Sequence, residues 1–513
     1  MWTWKHRPSR RVAATRRVRL CLEGLEERAV PTSLQPGLFN DALAGPLFTT
    51  IYTESNNPAA GQNAVLAFRQ DPFTGSLKQI GTFATGGTGQ INVPKVIGPD
   101  DSSQEVVATP DGRFLFAVNQ GSNSITAFRI DLDGKLDRIG TFDSGGVQPD
   151  SIGISGDRFY VSNRGDSAVG HPGTVAPNIT AFTIDGHGRL TPIANSTVTF
   201  PVDTSPSQNL ISRDGKLLFA DIFAVPGSTA AEGNTIAPFQ IQANGSLKLA
   251  PGGDVGAPVN PPLLLGADTN PNLPILYAGL TASNQIAVFT YDKAGNVSFV
   301  GAAADQGAAP CWITVSADGK YLYAGNTGTN SVGVFSLADP LHPVEIQEFA
   351  LGGPHAPPGS PPGSLQSNVF QLALSPDGRS LYAIGQNTSD TGTFPQGNQL
   401  HILSVGPDGK LSEPNGPILL SQFGVPGNAH PQGIAVVAGR IDFRHFGGGG
   451  DRDHGHEEHN ERLKAIDSIF TRADAAAAAA STSVSNSAAI ADTNLSDVVN
   501  ALLHLRQQAN SAG

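Results

Sequence analysis

The chain is short of cysteine and of long hydrophobic runs, and each shortage excludes a class of protein. Its 513 residues include two cysteines, Cys21 and Cys311, so no disulfide framework can be argued. Cys311, beside Trp312, is expected to be a small buried apolar side chain rather than a nucleophile. No apolar run reaches the ~20 residues that span a bilayer, so we predict no transmembrane segment.

Basic residues are scarce over most of the chain. The net charge is −12, and residues 46–440 contain about thirty acidic residues against eighteen basic ones. A surface of that sign repels phosphate backbones, so we expect no nucleic-acid partner. It also gives no electrostatic attraction to a phosphorylated sugar.

Glycine and proline are abundant, with 60 and 38 copies, and alternating apolar residues run between them. This pattern predicts many short strands joined by tight turns. One phrase, a strand, an Asp-Gly-type turn and a second strand, recurs as Val106–Asn119, Ser151–Asn163, Asn209–Asp221, Trp312–Asn326 and Gln371–Gly385. Asp-Gly between alternating apolar runs is a strong hairpin signal.

A second phrase follows each of these hairpins. It is a strand ending in Phe, a Gly turn, and Leu or Val opening another strand, as in Ser124–Leu136; seven copies occur, one with Asp339-Pro340 in place of the Gly turn. The first repeat lacks its innermost strand, and His430–Arg440 at the far end supplies it. Four strands per repeat and closure of the ring predict an all-β, seven-bladed β-propeller over residues 46–440.

The repeat also carries a family resemblance. The Ser-Pro-Asp-Gly-Arg-x-Leu-Tyr phrase at Ser375–Tyr382 is common to many propellers. The Phe-x-Ile-Asp-x-x-Gly-x-Leu phrase is typical of the lactonase family, and the chain resembles that family over all seven blades. The family includes 6-phosphogluconolactonase and the carboxymuconate cyclase-like proteins. The resemblance implies a ligand site at the channel mouth, lined by the loops that enter the innermost strands.

The residues at that mouth depart from those of the active relatives. Active lactonases carry His-Pro-His and Arg-His phrases there, and a Glu after a Tyr-Val-Val-Asn strand. This chain has Gln148-Pro149-Asp150, Ser205-Pro206-Ser207 and Ala309-Pro310-Cys311 instead. Four ionisable residues remain as catalytic candidates: His430, Arg164, Glu105 and Asp150. The alternative for each is a turn residue bonded to local backbone.

Two functions of different classes follow from this comparison. The first is a binding or scaffold module with a degenerate 6-phosphogluconolactonase-type site. Its expected partner is a small molecule or carbohydrate-like ligand at the central channel, or a protein. The second is an enzyme, either a lactone hydrolase of the 6-phosphogluconolactonase type or a muconate-type cyclase. We expect no cofactor in either case.

The segments on either side of the propeller have compositions of their own. Residues 1–45 form a basic leader and linker, in which Leu22–Ser33 resembles a noncanonical leader found on exported and surface proteins of certain bacteria. We therefore expect an extracellular or cell-surface protein, with the periplasm as the alternative. Residues 441–513 form a low-complexity tail, rich in His and acidic residues and then in Ala, with helical segments. Its weak metal-binding candidates are His454, His456 and His459.

Overall fold

The computed structural model describes residues 48–71, 74–90, 102–167, 173–224, 233–260, 263–353, 367–387 and 394–439. These residues form seven antiparallel sheets of four or five strands. The predicted all-β, seven-bladed propeller is confirmed. The leader, the tail and the three tail histidines lie outside the described residues.

The strands follow one another from the innermost to the outermost position of each blade, except in blade one. Blades one to three comprise β1 (Phe48–Glu54), β2 (Ala64–Gln70), β3 (Leu77–Ala84); β4 (Val106–Ala108), β5 (Phe114–Asn119), β6 (Ser124–Ile130), β7 (Leu136–Asp143); β8 (Pro149–Ser155), β9 (Arg158–Asn163), β10 (Asn178–Ile184), β11 (Leu190–Pro192) and β12 (Val198–Thr199). Blades four and five comprise β13 (Thr204–Ile211), β14 (Leu217–Ala224), β15 (Thr235–Ile241), β16 (Leu247–Leu249); β17 (Leu264–Thr269), β18 (Ile275–Leu280), β19 (Gln285–Tyr291) and β20 (Val297–Ala304).

Blades six and seven complete the ring. They comprise β21 (Pro310–Val315), β22 (Tyr321–Asn326), β23 (Ser331–Ser336), β24 (Val344–Ala350); β25 (Ser367–Leu374), β26 (Ser380–Asn387), β27 (Gln399–Val405), β28 (Leu411–Ser412), β29 (Ile418–Leu419), and, returning to blade one, β30 (Gln432–Gly439). The helical turns among the described residues are short 3₁₀ segments: Gln120–Ser122, Pro395–Gly397 and Leu420–Phe423.

The last strand closes the ring as the sequence predicts. β30 pairs antiparallel with β1, from Phe48 opposite Gly439 to Glu54 opposite Gln432. The Thr53 hydroxyl also donates to the Gln432 carbonyl at 3.2 Å. Blade one therefore takes its innermost strand from the far end of the propeller, which leaves no sheet edge open at the junction.

The innermost strands share a β-bulge near their start. The pairing with the second strand shifts by one residue in blades three to seven, and the extra residue is Asp150, Ser207, Gly266, Cys311 or Gln371. A bulge bends the strand and redirects the extra side chain. Gln371 adopts a positive φ of 41° there, and Gly433 in β30 one of 67°. The bulges thus set which side chains the blades present at the beginning of the channel.

Tyrosine hydroxyls join neighbouring blades farther out. Tyr52 donates to the Gly134 carbonyl at 2.8 Å, and Tyr160 donates to the Gly245 carbonyl at 3.0 Å. In each case a second-strand tyrosine reaches the outer turn of the next blade. Tyr277 and Tyr323 repeat the contact, to Pro340 and Gly409. Apolar clusters fill the space between the blades, and Cys311 is buried as predicted.

Candidate functional site

The channel has two ends that differ in chemistry. We term the end at which the innermost strands begin the upper end, and the end at which they finish the lower end. At the upper end, the segment Ser102–Glu105 contacts blades that are not its neighbours. Ser103 N–H donates to the Ser207 carbonyl of blade four at 2.9 Å, and the Gln371 amide of blade seven donates to the Ser102 carbonyl at 2.6 Å. The segment thus reaches over the upper end of the channel.

Glu105 lies fully buried within this segment. Its Oε1 accepts hydrogen bonds from the Ser102 hydroxyl at 2.8 Å and from the Gln371 amide at 2.5 Å. The side-chain oxygen Oε1 of Gln371 accepts in turn from Gly433 N–H. Burial raises the pKa of Glu105 well above its usual range, and the nearby Glu54 and Asp150 raise it further. Burial therefore favours the protonated form of Glu105, whose side chain is hydrogen-bonded to Gln371 of blade seven.

Glu54 is a second buried acid at the upper end, and the sequence did not single it out. It accepts from the Gln432 amide at 2.7 Å and from the Asn63 amide at 3.1 Å. Burial raises the pKa of Glu54 to about 8. Glu54 ends a strand whose residues are buried on both faces, so alternation gave no signal that its side chain meets Gln432 of the closing strand.

Asp150 and Arg164 are the one opposite-charge pair that the described upper-end residues bring together. Both are 1% exposed. Burial raises the pKa of Asp150 well above its usual range, and the Arg164 guanidinium opposes that rise. Arg164 also donates to the Ser167 carbonyl at 3.0 Å. Because Asp150 acts electrostatically on Glu105, three of the four candidate residues form one interacting group.

His430, the fourth candidate, is fully buried in the turn ahead of β30. The Asn398 amide donates to the carbonyl of the preceding Ala429 at 2.8 Å, and the Gln386 amide donates to that of the following Pro431 at 3.1 Å. His430 lies two residues from Gln432, which binds Glu54. All four candidates are thus at most 1% exposed.

The lower end of the channel opens into a cavity of about 500 Å³, within the size range of small-molecule sites. Its walls come from the ends of the innermost strands of blades one and three to seven and from the turn after β13. Charged groups in the lining are Arg213 and Asp268, 3.8 Å apart, and apolar ones include Ile154, Leu372 and Val436. Burial raises the pKa of Asp268, although Arg213 opposes the rise. The side chain of Arg213 is 48% exposed, so this end is accessible where the upper end is closed.

No helix among the described residues is long and apolar enough to cross a membrane.

The comparisons with known proteins point to one family. The family model described as "Lactonase, 7-bladed beta-propeller" matches residues 61–171 and 222–388, more than half of the chain. A search of curated proteins finds no significant match. Among solved structures, a periplasmic gluconolactonase from Pseudomonas aeruginosa is 16% identical, with a TM-score of 0.58 over 77% of this chain and 100% of that one. A putative 6-phosphogluconolactonase from Bacteroides fragilis is 17% identical, with a TM-score of 0.55 over 76% and 98%. At these identities the two structures support the fold alone.

Proposed function

Because the chain belongs to the seven-bladed lactonase propeller family, we propose that it is a binding member of that family with a degenerate hydrolase site. The observation that carries the proposal is the burial of Glu105, Asp150 and Arg164, each at most 1% exposed. A general base must come within hydrogen-bond reach of water or substrate. A carboxyl group that is enclosed in the fold, and in the case of Glu105 bonded to another blade, does not meet that requirement.

The chemistry of the upper end also disfavours a phosphorylated substrate. Arg164 lies near Asp150 and donates to the Ser167 carbonyl, so its guanidinium is already engaged within the fold. Glu54 and Glu105 add acids rather than bases to the same region. A dianionic phosphate needs uncompensated cations or a row of N–H donors. The ligand we propose is therefore an uncharged or weakly charged polar small molecule, such as a carbohydrate.

We place the binding site at the lower end of the channel. The cavity there has a suitable volume, and its lining combines apolar strand ends with Arg213 and Asp268. Apolar walls with a few convergent polar groups are typical of sites for small polar ligands. A protein partner that inserts one side chain into the cavity is the other occupant consistent with its size.

The test is calorimetric titration of the full chain with a panel of neutral mono- and oligosaccharides and sugar lactones. We expect one ligand class to bind and Arg213→Ala to weaken it about tenfold or more, the effect of about 1.4 kcal/mol. Lys216→Ala is the matched control, since Lys216 is an exposed base on the same turn, paired only with Asp214. If Arg213→Ala leaves the binding affinity unchanged, the ligand does not bind at the lower end, and our position for the site is wrong.

A lactone hydrolase or muconate-type cyclase is the second candidate function. It is favoured by the family and by the proximity of Asp150, an acid of raised pKa, to Arg164, an arrangement that also occurs in catalytic sites. Our proposal predicts no hydrolysis of 6-phosphogluconolactone above spontaneous opening, because losing a base and an oxyanion-stabilising group each costs on the order of 10²-fold. Turnover that Arg164→Ala or His430→Ala abolishes, in protein that still melts normally, would establish the enzyme instead.

We also propose that the chain is exported. The ordered match of Leu22–Ser33 to a bacterial export leader supports this, and the cell surface is the expected destination, with the periplasm as the alternative. Fractionation of the native host, with mass spectrometry of the N-terminus, tests it. Full-length protein confined to the cytosol with the leader intact would refute export without touching the binding proposal.

A further inference from the structure

Three carboxylates meet at the junction of blades five and six, far along the chain from the candidate residues above. Asp305 follows the outermost strand of blade five, and Glu345 and Glu348 lie on β24, the outermost strand of blade six. One carboxylate oxygen of each lies within 4.8 Å of the other two. Asp305 is only 7% exposed. The groups that act on its pKa are burial, the two glutamates and local hydrogen bonds, and they include no basic residue.

Two carboxylate oxygens of this cluster have no hydrogen-bond partner among the described residues. Asp305 Oδ1 accepts from Gly307 N–H at 2.8 Å and from the Asn326 amide at 2.9 Å, whereas its buried Oδ2 has no partner. Glu345 Oε2 accepts from Gln306 N–H at 2.7 Å, whereas its Oε1 has no partner. Glu348 accepts from the Asn326 amide at 3.1 Å and from the Ser331 hydroxyl. Buried polar atoms without hydrogen-bond partners are uncommon in folded proteins, so each one needs an explanation.

The junction of blades one and two shows which side chains the fold places at the corresponding positions of another blade pair. Strand pairing places Glu345 opposite Phe335 and Glu348 opposite Gly333 in blade six. In blade two it places Arg138 opposite Phe128 and Thr141 opposite Thr126. At the junction of blades one and two, the Arg138 guanidinium donates to the Thr85 carbonyl at 3.1 Å. Thr85, like Asp305, is the residue that follows the outermost strand of the preceding blade. A positive group thus lies at one junction where three acids lie at the other.

We propose that Asp305, Glu345 and Glu348 form a calcium site that ties blade five to blade six. The three carboxylates supply up to six oxygens, and water molecules complete the coordination shell. Ca²⁺ takes six to eight such oxygens at about 2.3–2.6 Å in flexible geometry. Mg²⁺ instead keeps several waters and an octahedral arrangement, for which a cluster built around a 7% exposed Asp305 leaves little room. The ion takes the place of the guanidinium at the other junction.

The direct test is calorimetric titration of chelator-treated full-length protein with CaCl₂, with MgCl₂ as a second titrant. We expect one site that prefers calcium and a rise in melting temperature of about 3 °C at ~100-fold excess over Kd. Asp305→Asn should abolish the site. Because it removes a charge from a repulsive cluster while keeping the side-chain shape, this variant should melt no lower than the parent in the absence of calcium.

A second variant copies the other junction. Glu345→Arg places a guanidinium among the remaining acids, as Arg138 does in blade two, and should abolish calcium binding while raising the calcium-free melting temperature. Asp137→Asn is the control, because Asp137 is an exposed carboxylate on the corresponding outer strand, paired with Arg129, and its loss should leave calcium binding unchanged. The proposal is overturned if the parent binds no calcium, if Mg²⁺ binds equally well, or if the calcium isotherm is the same in Asp305→Asn and Glu345→Arg.

Discussion

The upper and lower ends of the channel are built by the same innermost strands, yet they hold their polar groups in opposite ways. At the upper end, Glu54 and Glu105 are fully buried and carry raised pKa values. Glu54 hydrogen-bonds to Gln432 of the closing strand, and Glu105 hydrogen-bonds to Gln371 of blade seven. At the lower end, Arg213 and Asp268 face an accessible cavity, and their ion pair at 3.8 Å is loose.

This contrast between the two ends shows that burial of an ionisable group does not by itself make that group functional. The upper end has the residue types of an active site, but its bonds run between blades and hold the ring together. The lower end has fewer such residues. Asp268 there accepts from Val315 N–H of blade six, whereas the half-exposed Arg213 is accessible to a ligand. Each of the following experiments tests whether the upper end is structural and the lower end is not.

Removing His430–Arg440 should have the largest effect. The deletion takes away β30 and with it the partners of Thr53, Glu54 and Gln371, so the truncated chain should lose cooperative unfolding altogether. Calorimetry or circular-dichroism melting measures this. The control removes only 441–513 and should melt near the parent temperature. A chain lacking β30 that still melts cooperatively near that temperature would contradict closure through blade one.

A single substitution at each end compares them directly. Glu105→Ala leaves the Ser102 hydroxyl without its acceptor and the Gln371 amide with only the Ser102 carbonyl, so it should lower the free energy of unfolding by about 1–3 kcal/mol. Arg213→Ala breaks an exposed pair and should cost at most about 1 kcal/mol. Urea unfolding measures both. Glu105→Gln, which keeps an acceptor, should fall between the two, and equal losses at both ends would remove the distinction.

The pH dependence of stability should come from the upper end. A carboxyl group whose pKa is raised from 4.5 to about 8, as in Glu54, stays protonated in the folded chain while the unfolded chain ionises. Its contribution to stability is therefore complete below pH about 4.5 and is lost as the pH rises toward about 8. The urea midpoint should fall across this window, and Glu54→Gln should flatten the fall. An unchanged slope in Glu54→Gln would mean that other groups dominate.

The tyrosine contacts between blades should give the smallest effect. Tyr160→Phe removes the hydrogen bond to the Gly245 carbonyl and should cost about 0.5–1.5 kcal/mol, without altering ligand binding at the lower end. Tyr321→Phe is the matched control, because Tyr321 is a partly exposed tyrosine on a second strand, and it should change stability by less than about 0.5 kcal/mol. Equal effects would show that the hydroxyl of Tyr160 does not join the blades.

The sequence predicted the ring because its signals are local. Asp-Gly turns and alternating apolar residues mark each hairpin. The first blade lacks one strand in the sequence, and the strand-like segment His430–Arg440 supplies it. Those signals depend on residues a few positions apart, so one chain suffices to recognise them.

The contacts around the upper end were not predictable in the same way. Gln371 meets Glu105 across 266 positions of the chain, and Gln432 meets Glu54 across 378. No periodicity connects residues at such separations, and the positive φ that aims Gln371 depends on a bulge that composition does not reveal. The acids on β24 look like ordinary exposed residues of an outer strand until blade five brings Asp305 beside them.

The pairing of the first strand with the last also bears on how the protein is made. The hydrogen-bond partner of Thr53 lies 379 positions later in the chain. At about 5–20 residues per second, the ribosome needs roughly 20–75 s to synthesise that stretch. Until then, blade one has three strands, and the inner edge of β1 has unpaired N–H and C=O groups, the kind of edge that pairs with other chains. The nascent chain is therefore most prone to aggregation at its first blade, and the risk ends only when its last strand has been synthesised.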